Sequence, residues 1–153
     1  MFFFLLTALF FLIDFNLKNL IEVTPSEYLP KSFLYGHIKL SRLHNKGLAG
    51  GRLKKRPRVA TLISGLCLLV VSLTTLPFFL KKGHYLCKLA ISMILGGASG
   101  NFFDRLARNH VVDYISFPKT KPKAFRNYVY NLADLLIFIG SGILLIKELL
   151  GKD

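Results

Sequence analysis

The sequence predicts an all-α membrane protein: a four-transmembrane-helix bundle with a small β-sheet and loop region on one face. Three observations predict it. Of 153 residues, 52% are hydrophobic, with 14 Phe, no Trp and a mean hydropathy of +0.46, too apolar for an ordinary soluble domain. Four apolar runs approach the ~20 residues that a helix needs to cross hydrocarbon. The connections between them differ sharply, one being a short basic hinge and two being long and polar. The length suits a single membrane domain over 1–153.

The first span is expected over about 1–20. Residues 1–13 are too few alone, so the run must carry Asp14 and Lys18 inside it. It has neither a basic n-region nor a small-x-small cleavage site, so it reads as a retained helix rather than a cleaved signal peptide. Residues 59–80 contain no formal charge and give the clearest span. The third, 84–103, is interrupted by Lys88, which can lay its stem in the apolar layer and raise its ammonium to the interface. The fourth, 129–147, carries Asp134 in its first turns.

Lys81 and Lys82 form the hinge between spans two and three, which makes those helices antiparallel neighbours. The loops 24–58 and 104–128 therefore open on the opposite face. Within the first, Ile38 and Leu40 alternate with His37, Lys39 and Ser41, the period of a strand, and Asn45-Lys46-Gly47 follows as a turn.

The formal charge is +13, from 21 Lys and Arg against 8 Asp and Glu. Such a balance suits an anionic partner, and the apolar runs favour phospholipid headgroups over nucleic acid. Most of the basic residues lie in the two long loops, which the positive-inside rule would place in the cytoplasm. Cys67 and Cys87 show no CxxC or Cys/His spacing and read as small buried side chains. His37, His44 and His110 have no ligand spacing and read as loop histidines, with His84 at the hinge; no metal and no cofactor is expected.

Ionisable groups in a bilayer cost about 2.5–3.5 kcal/mol each, so each requires a reason. Asp104, Asp113 and Asp134 stand near the long-loop face. Gly96, Gly97, Gly100, Asn101 and Asp104 share one helical face, and Asn131, Asp134, Phe138 and Ser141 share another. Packing them together brings the polar residues to one level, and Asp113 can fold back to join them. Two carboxylates about 4 Å apart at an effective dielectric near 20 repel by roughly 4 kcal/mol, about three pKa units. One then holds a proton while the other is charged, the state that aspartic peptidase chemistry requires. The alternative is equally open at this point: the aspartates pair with Arg105, Lys18 or backbone groups and only fix helix packing.

At these residues the chain resembles the lipoprotein signal peptidase (signal peptidase II) family. The resemblance rests on Gly96-Gly97-Ala98-Ser99-Gly100-Asn101-Phe102-Phe103-Asp104-Arg105, on Val111-Val112-Asp113-Tyr114 and on Asn131-Leu132-Ala133-Asp134, in that order. Asp14-x-x-x-Lys18 and Asn45-Lys46-Gly47-Leu48-Ala49 resemble the family's first-helix and loop motifs, so the likeness spans the chain. Gly50-Gly51 replaces an aromatic residue usual after the loop motif, and Tyr130 stands where Phe is more usual.

The resemblance implies an aspartic endopeptidase that removes the signal peptide of bacterial prolipoproteins before a lipid-modified cysteine. Asp113 and Asp134 would be catalytic. Asn101, Asp104, Arg105 and Asn131 would support them, and Asp14, Lys18, Asn45 and Gly47 would bind substrate. Asp104 beside Arg105 suits a permanently charged carboxylate. The expected partners are a prolipoprotein with a diacylglyceryl-modified cysteine and membrane phospholipids, acting on a monomer. The expected place is the bacterial cytoplasmic membrane, with the active site and both long loops extracytoplasmic. A catalytically inactive relative acting as a scaffold or lipoprotein-binding protein is the competing reading. A nucleic-acid tether acting through the basic run Arg52-Leu53-Lys54-Lys55-Arg56-Pro57-Arg58 is a third.

Overall fold

The computed structural model describes residues 1–48 and 51–151; Ala49 of the loop motif and the adjoining Gly50 lie outside the described residues. Helix α1 (Phe2–Val23) is followed by strands β1 (Lys31–Phe33) and β2 (Ile38–Asn45), then helices α2 (Pro57–Leu80) and α3 (Tyr85–Arg108). Strand β3 (Val111–Ser116), the short helix α4 (Lys123–Arg126), strand β4 (Val129–Tyr130) and helix α5 (Leu132–Leu150) complete the chain. Three helices, α1, α2 and α3, are long and apolar enough to cross a membrane. Helix α5 has 19 residues and includes Asp134, Lys147 and Glu148.

The bundle inverts the soluble pattern. The buried residues of α1 are Asp14, Lys18 and Ile21, while most of its Phe and Leu face outward. That arrangement suits lipid, where polar groups must be satisfied inside the protein. Helix α2 is almost wholly outward-facing, with Ala60 its one buried residue among those described. Cys87 is buried as expected, but Cys67 is exposed, because α2 presents nearly its whole surface to the surroundings.

Helix α3 is the hub, and its glycines explain why. A Cβ on Gly96 would lie 2.7 Å from the Phe10 Cβ and 2.9 Å from the Thr7 carbonyl of α1. One on Gly97 would lie 2.5 Å from the Ala133 carbonyl of α5. Gly140 of α5 answers with an equally close approach to Ala90, 2.6 Å from its carbonyl. Lipid offers no hydrophobic drive for helix association, so the attraction must come from such close contact.

Several boundaries differ from expectation, two of them for a clear local reason. Helix α3 continues past residue 103 to Arg108 and ends where Asn109 takes a left-handed conformation at φ 61°. Helix α5 starts at Leu132, not at 129, because Asn131 and Asp134 form a reciprocal capping box and residues 129–130 pair as β4. Lys88 is buried and donates to the Lys81 carbonyl at the hinge rather than reaching open interface.

The sheet is four-stranded, antiparallel and ordered β1-β2-β3-β4. It rests on the end of α1 through Ile21, Val112 and Tyr114. Arg42 of β2 fastens the contact, its Nη1 donating to the carbonyls of Glu22 at 2.6 Å and Thr24 at 3.1 Å. These are terminal helix carbonyls that would otherwise lack partners.

Candidate active site

Asp113 and Asp134 arrive on different elements and line one cleft of about 830 Å³ between sheet and bundle. Asp113 stands at the middle of β3 and is only 3% exposed. Asp134 is the third residue of α5. Asn131 joins them: its Nδ2 donates to Asp113 Oδ1 at 2.7 Å, while its Oδ1 accepts from the Asp134 N–H at 2.9 Å. The Asp134 carboxylate returns a bond from the Asn131 N–H at 3.2 Å.

The remaining oxygens are also placed. Asn45 Nδ2 donates to Asp113 Oδ2 at 3.0 Å, and Asn101 Nδ2 donates to Asp134 Oδ1 at 2.9 Å. Neither amide is free to turn over. Asn45 Oδ1 accepts the Gly47 N–H, and Asn101 Oδ1 accepts from Lys18 Nζ and from Asn131 Nδ2. Gly47 is required by space, since a Cβ there would run into the Arg52 carbonyl and sit 3.1 Å from the Lys54 nitrogen. Its own carbonyl accepts from Arg105 Nη2 at 3.0 Å, tying the loop to α3.

Asp14 and Lys18, expected at the substrate, are instead fully buried behind the cleft. Lys18 Nζ donates to Asn101 Oδ1 at 2.9 Å and forms ion pairs with Asp14 Oδ2 at 2.6 Å and Asp104 Oδ2 at 3.4 Å. Asp104 takes its cations from Lys18 and Arg108, not from the adjacent Arg105. It also accepts the Val112 N–H at 3.2 Å, which fixes the strand one residue before Asp113. These three groups position the site rather than face it.

The start of α5 shows how completely the site is built. The N–H of Asn131 donates to Asp134 Oδ2 at 3.2 Å, that of Leu132 to the Tyr114 hydroxyl at 3.3 Å, that of Ala133 to Asp14 Oδ1 at 2.9 Å, and that of Asp134 to Asn131 Oδ1 at 2.9 Å. All four groups that a helix start leaves unpaired are thereby satisfied. The cap from Tyr114 is legible only in space, because a hydroxyl 18 residues before its partner leaves no periodic signal.

Asp113 is held well above the ordinary carboxylate value of 3.8, at about 7. Burial is the larger cause, and the charge of Asp134 adds to it; the bonds from Asn45 and Asn131 pull the other way. One wall of the cleft is aromatic, with Phe125, Tyr130 and Phe138 rings mutually 6.0–6.2 Å apart. A narrower apolar groove between α2 and α3 adjoins the cleft at Asn101 and Arg105.

Apolar helices closing around two carboxylates that share a cleft under a small sheet form the candidate active site of a membrane protein. The family described as Signal peptidase (SPase) II matches residues 6–150. The chain therefore belongs to the lipoprotein signal peptidase family, whose members are membrane aspartic proteases. It is 36% identical over 124 residues to the lipoprotein signal peptidase of Caldicellulosiruptor bescii, covering 81% of this chain and 74% of that one. It is 32% identical over 146 residues to that of Brucella ovis, covering 92% and 84%. With that of Mesorhizobium japonicum it shares 30% over 139 residues, covering 91% and 80%. The fold matches a bacterial membrane enzyme solved by the in meso method at 2.3 Å resolution, with a TM-score of 0.81, 23% identity, and 96% and 87% coverage. The inactive-scaffold reading is not favoured.

Proposed function

We propose that Asp113 and Asp134 are the catalytic pair, and that the enzyme cuts the signal peptide from bacterial prolipoproteins just before the diacylglyceryl-modified cysteine. The observation that carries this is the shared cleft, with Asn131 bonded to both acids and Asp113 raised to about 7. Near neutral pH such a pair holds one proton between them. The charged member takes a proton from water as the oxygen attacks the scissile carbonyl carbon. The neutral member donates its proton to the carbonyl oxygen. Collapse of the tetrahedral gem-diol breaks the C–N bond, and a carboxyl proton passes to the leaving amine. Asn45, Asn101 and Asn131 keep the acids aimed through these transfers, and Arg105 holds the loop that carries Asn45.

The single domain 1–153 fits this reading with α5 as the fourth span and its charged residues at the two ends. The sheet and both long loops then lie on the extracytoplasmic side of the cytoplasmic membrane, where a lipid-modified cysteine is found. The basic loops meet anionic headgroups there. The apolar groove between α2 and α3 is the right character for an acyl chain, and the aromatic wall for the apolar part of the signal peptide. A monomer suffices, because both acids come from one chain.

The test is cleavage of a diacylglyceryl-modified prolipoprotein by Asp113→Asn and Asp134→Asn. Each is expected to lower the rate by at least about 10²–10⁴-fold while the protein stays folded in the membrane. Normal cleavage by Asp113→Asn would overturn the assignment.

A further inference from the structure

A second constellation of polar side chains stands where α1 ends against the sheet, at the edge of the cleft, which His44 also lines. Glu22, in the last turn of α1, stands between two imidazoles. Its Oε1 is 2.7 Å from His44 Nε2 and 3.7 Å from His110 Nε2. The two rings lie 4.1 Å apart between centroids. One ligand atom from each of the three residues falls within 4.8 Å of the others. His44 sits opposite Val112 in the β2–β3 ladder, and His110 immediately precedes β3.

His44 Nε2 alone satisfies Glu22 Oε1 by a hydrogen bond at 2.7 Å, whereas His110 Nε2, at 3.7 Å from the same oxygen, is too far for one. His110 Nε2 is nonetheless buried and has no hydrogen-bond partner among the described residues. A buried imidazole nitrogen left unpaired is costly, and such groups call for an explanation.

The geometry points to a divalent transition-metal site of the zinc class, formed by Glu22, His44 and His110 at the edge of the cleft and using neither Asp113 nor Asp134. Imidazole nitrogens and carboxylate oxygens bind such an ion at about 2.0–2.2 Å, which sets tetrahedral ligands roughly 3.3 Å apart. The two carboxylate–imidazole separations of 2.7 and 3.7 Å straddle that value, and all three ligand atoms lie within 4.8 Å of one another. Two neutral imidazoles and one carboxylate favour zinc, nickel or copper over calcium or magnesium, which prefer oxygen ligands. Three protein ligands leave one position for water. The ion would join the end of α1 to β2 and to the start of β3, the ladder in which Leu43 faces Asp113. The ion takes no part in the peptidase step, and the inference does not depend on that reading.

The experiment uses the full chain without a polyhistidine tag, in detergent micelles, stripped with a chelator and titrated calorimetrically with zinc chloride. One ion per chain is expected, together with a rise in unfolding temperature. Glu22→Gln and His110→Gln should each weaken binding by about tenfold or more and remove the thermal shift. His37→Ala and Asp113→Asn should bind as the wild type does. The proposal fails if no stoichiometric binding is seen. It fails equally if Glu22→Gln and His110→Gln bind unchanged, or if Asp113→Asn abolishes binding and so moves the ion to the cleft.

Discussion

Asn131 donates a 2.7 Å hydrogen bond to the carboxylate of Asp113, although the two residues lie 18 positions apart on different elements. The same side chain caps the helix that begins with Leu132, through a 2.9 Å bond from the Asp134 N–H. One amide thus fixes a helix start and sets the relation between two acids. The capping device and the chemical device are the same group.

Asn131→Ala therefore removes two functions together. Loss of the cap costs about 0.5–2 kcal/mol of stability. The cleavage rate should fall further than stability explains, by about 10²-fold, because the Asp113 carboxylate loses a positioning bond and the helix start that carries Asp134 loses its side-chain cap. Thermal unfolding and initial rates measured on one preparation separate the two effects.

The elevation of Asp113 fixes a pH dependence. Its value rises from 3.8 to about 7 on folding, so between those values the folded protein holds a proton that the unfolded chain has released. The stability from this group is fully present below about pH 4 and is lost as pH rises through about 7, a change of at most about 4 kcal/mol. The unfolding temperature of the wild type should decline across that window. In Asp113→Asn the decline should be absent. Cleavage should also weaken above about pH 7, where the proton shared by the pair is lost.

Lys18→Met leaves Asp14 and Asp104 buried with fewer cations, Arg108 alone remaining beside Asp104. Removing one member of a buried charged network costs about 3–5 kcal/mol. Adding Asp14→Asn should recover part of that loss, since it removes the carboxylate left unpaired. Failure of the double variant to recover would mean that the Ala133 cap made by Asp14 outweighs its charge.

Gly97→Val should separate α3 from α5, because its Cβ would lie 2.5 Å from the Ala133 carbonyl. Overpacking of this kind costs about 1–3 kcal/mol. Cleavage should drop with it, as Ala133 adjoins Asp134. Gly142→Ala, with nothing within 4 Å of the added carbon, is the control and should behave as the wild type.

Much of this architecture is legible in the sequence. The apolar runs set which segments are helices, and small residues on one face of α3 marked it as the helix that others approach. Asp104, Asp113 and Asp134 all stand out because unpaired charge in a bilayer demands a reason, and only the family resemblance selects Asp113 and Asp134 among them. Asn45 and Gly47 stood out as a turn, though their reach to Asp113 and Arg105 did not. The resemblance assigns Asp14 and Lys18 to the substrate, while their spacing suits a helix ion pair; the structure shows them fully buried and paired, an enclosure that spacing along a helix does not reveal.

The chain alone determined what is carried by periodicity and by the cost of moving groups out of water, namely the helices, their glycine-lined face and the acids that had to be paired. Only the tertiary structure decided who pairs with whom. Asp104 chose Arg108 over its neighbour Arg105, Tyr114 capped a helix that starts 18 residues later, and Glu22 met His44 and His110. Such partnerships depend on side-chain direction and on contacts between distant segments, and hydrogen bonds act over about 3 Å whatever the separation in sequence.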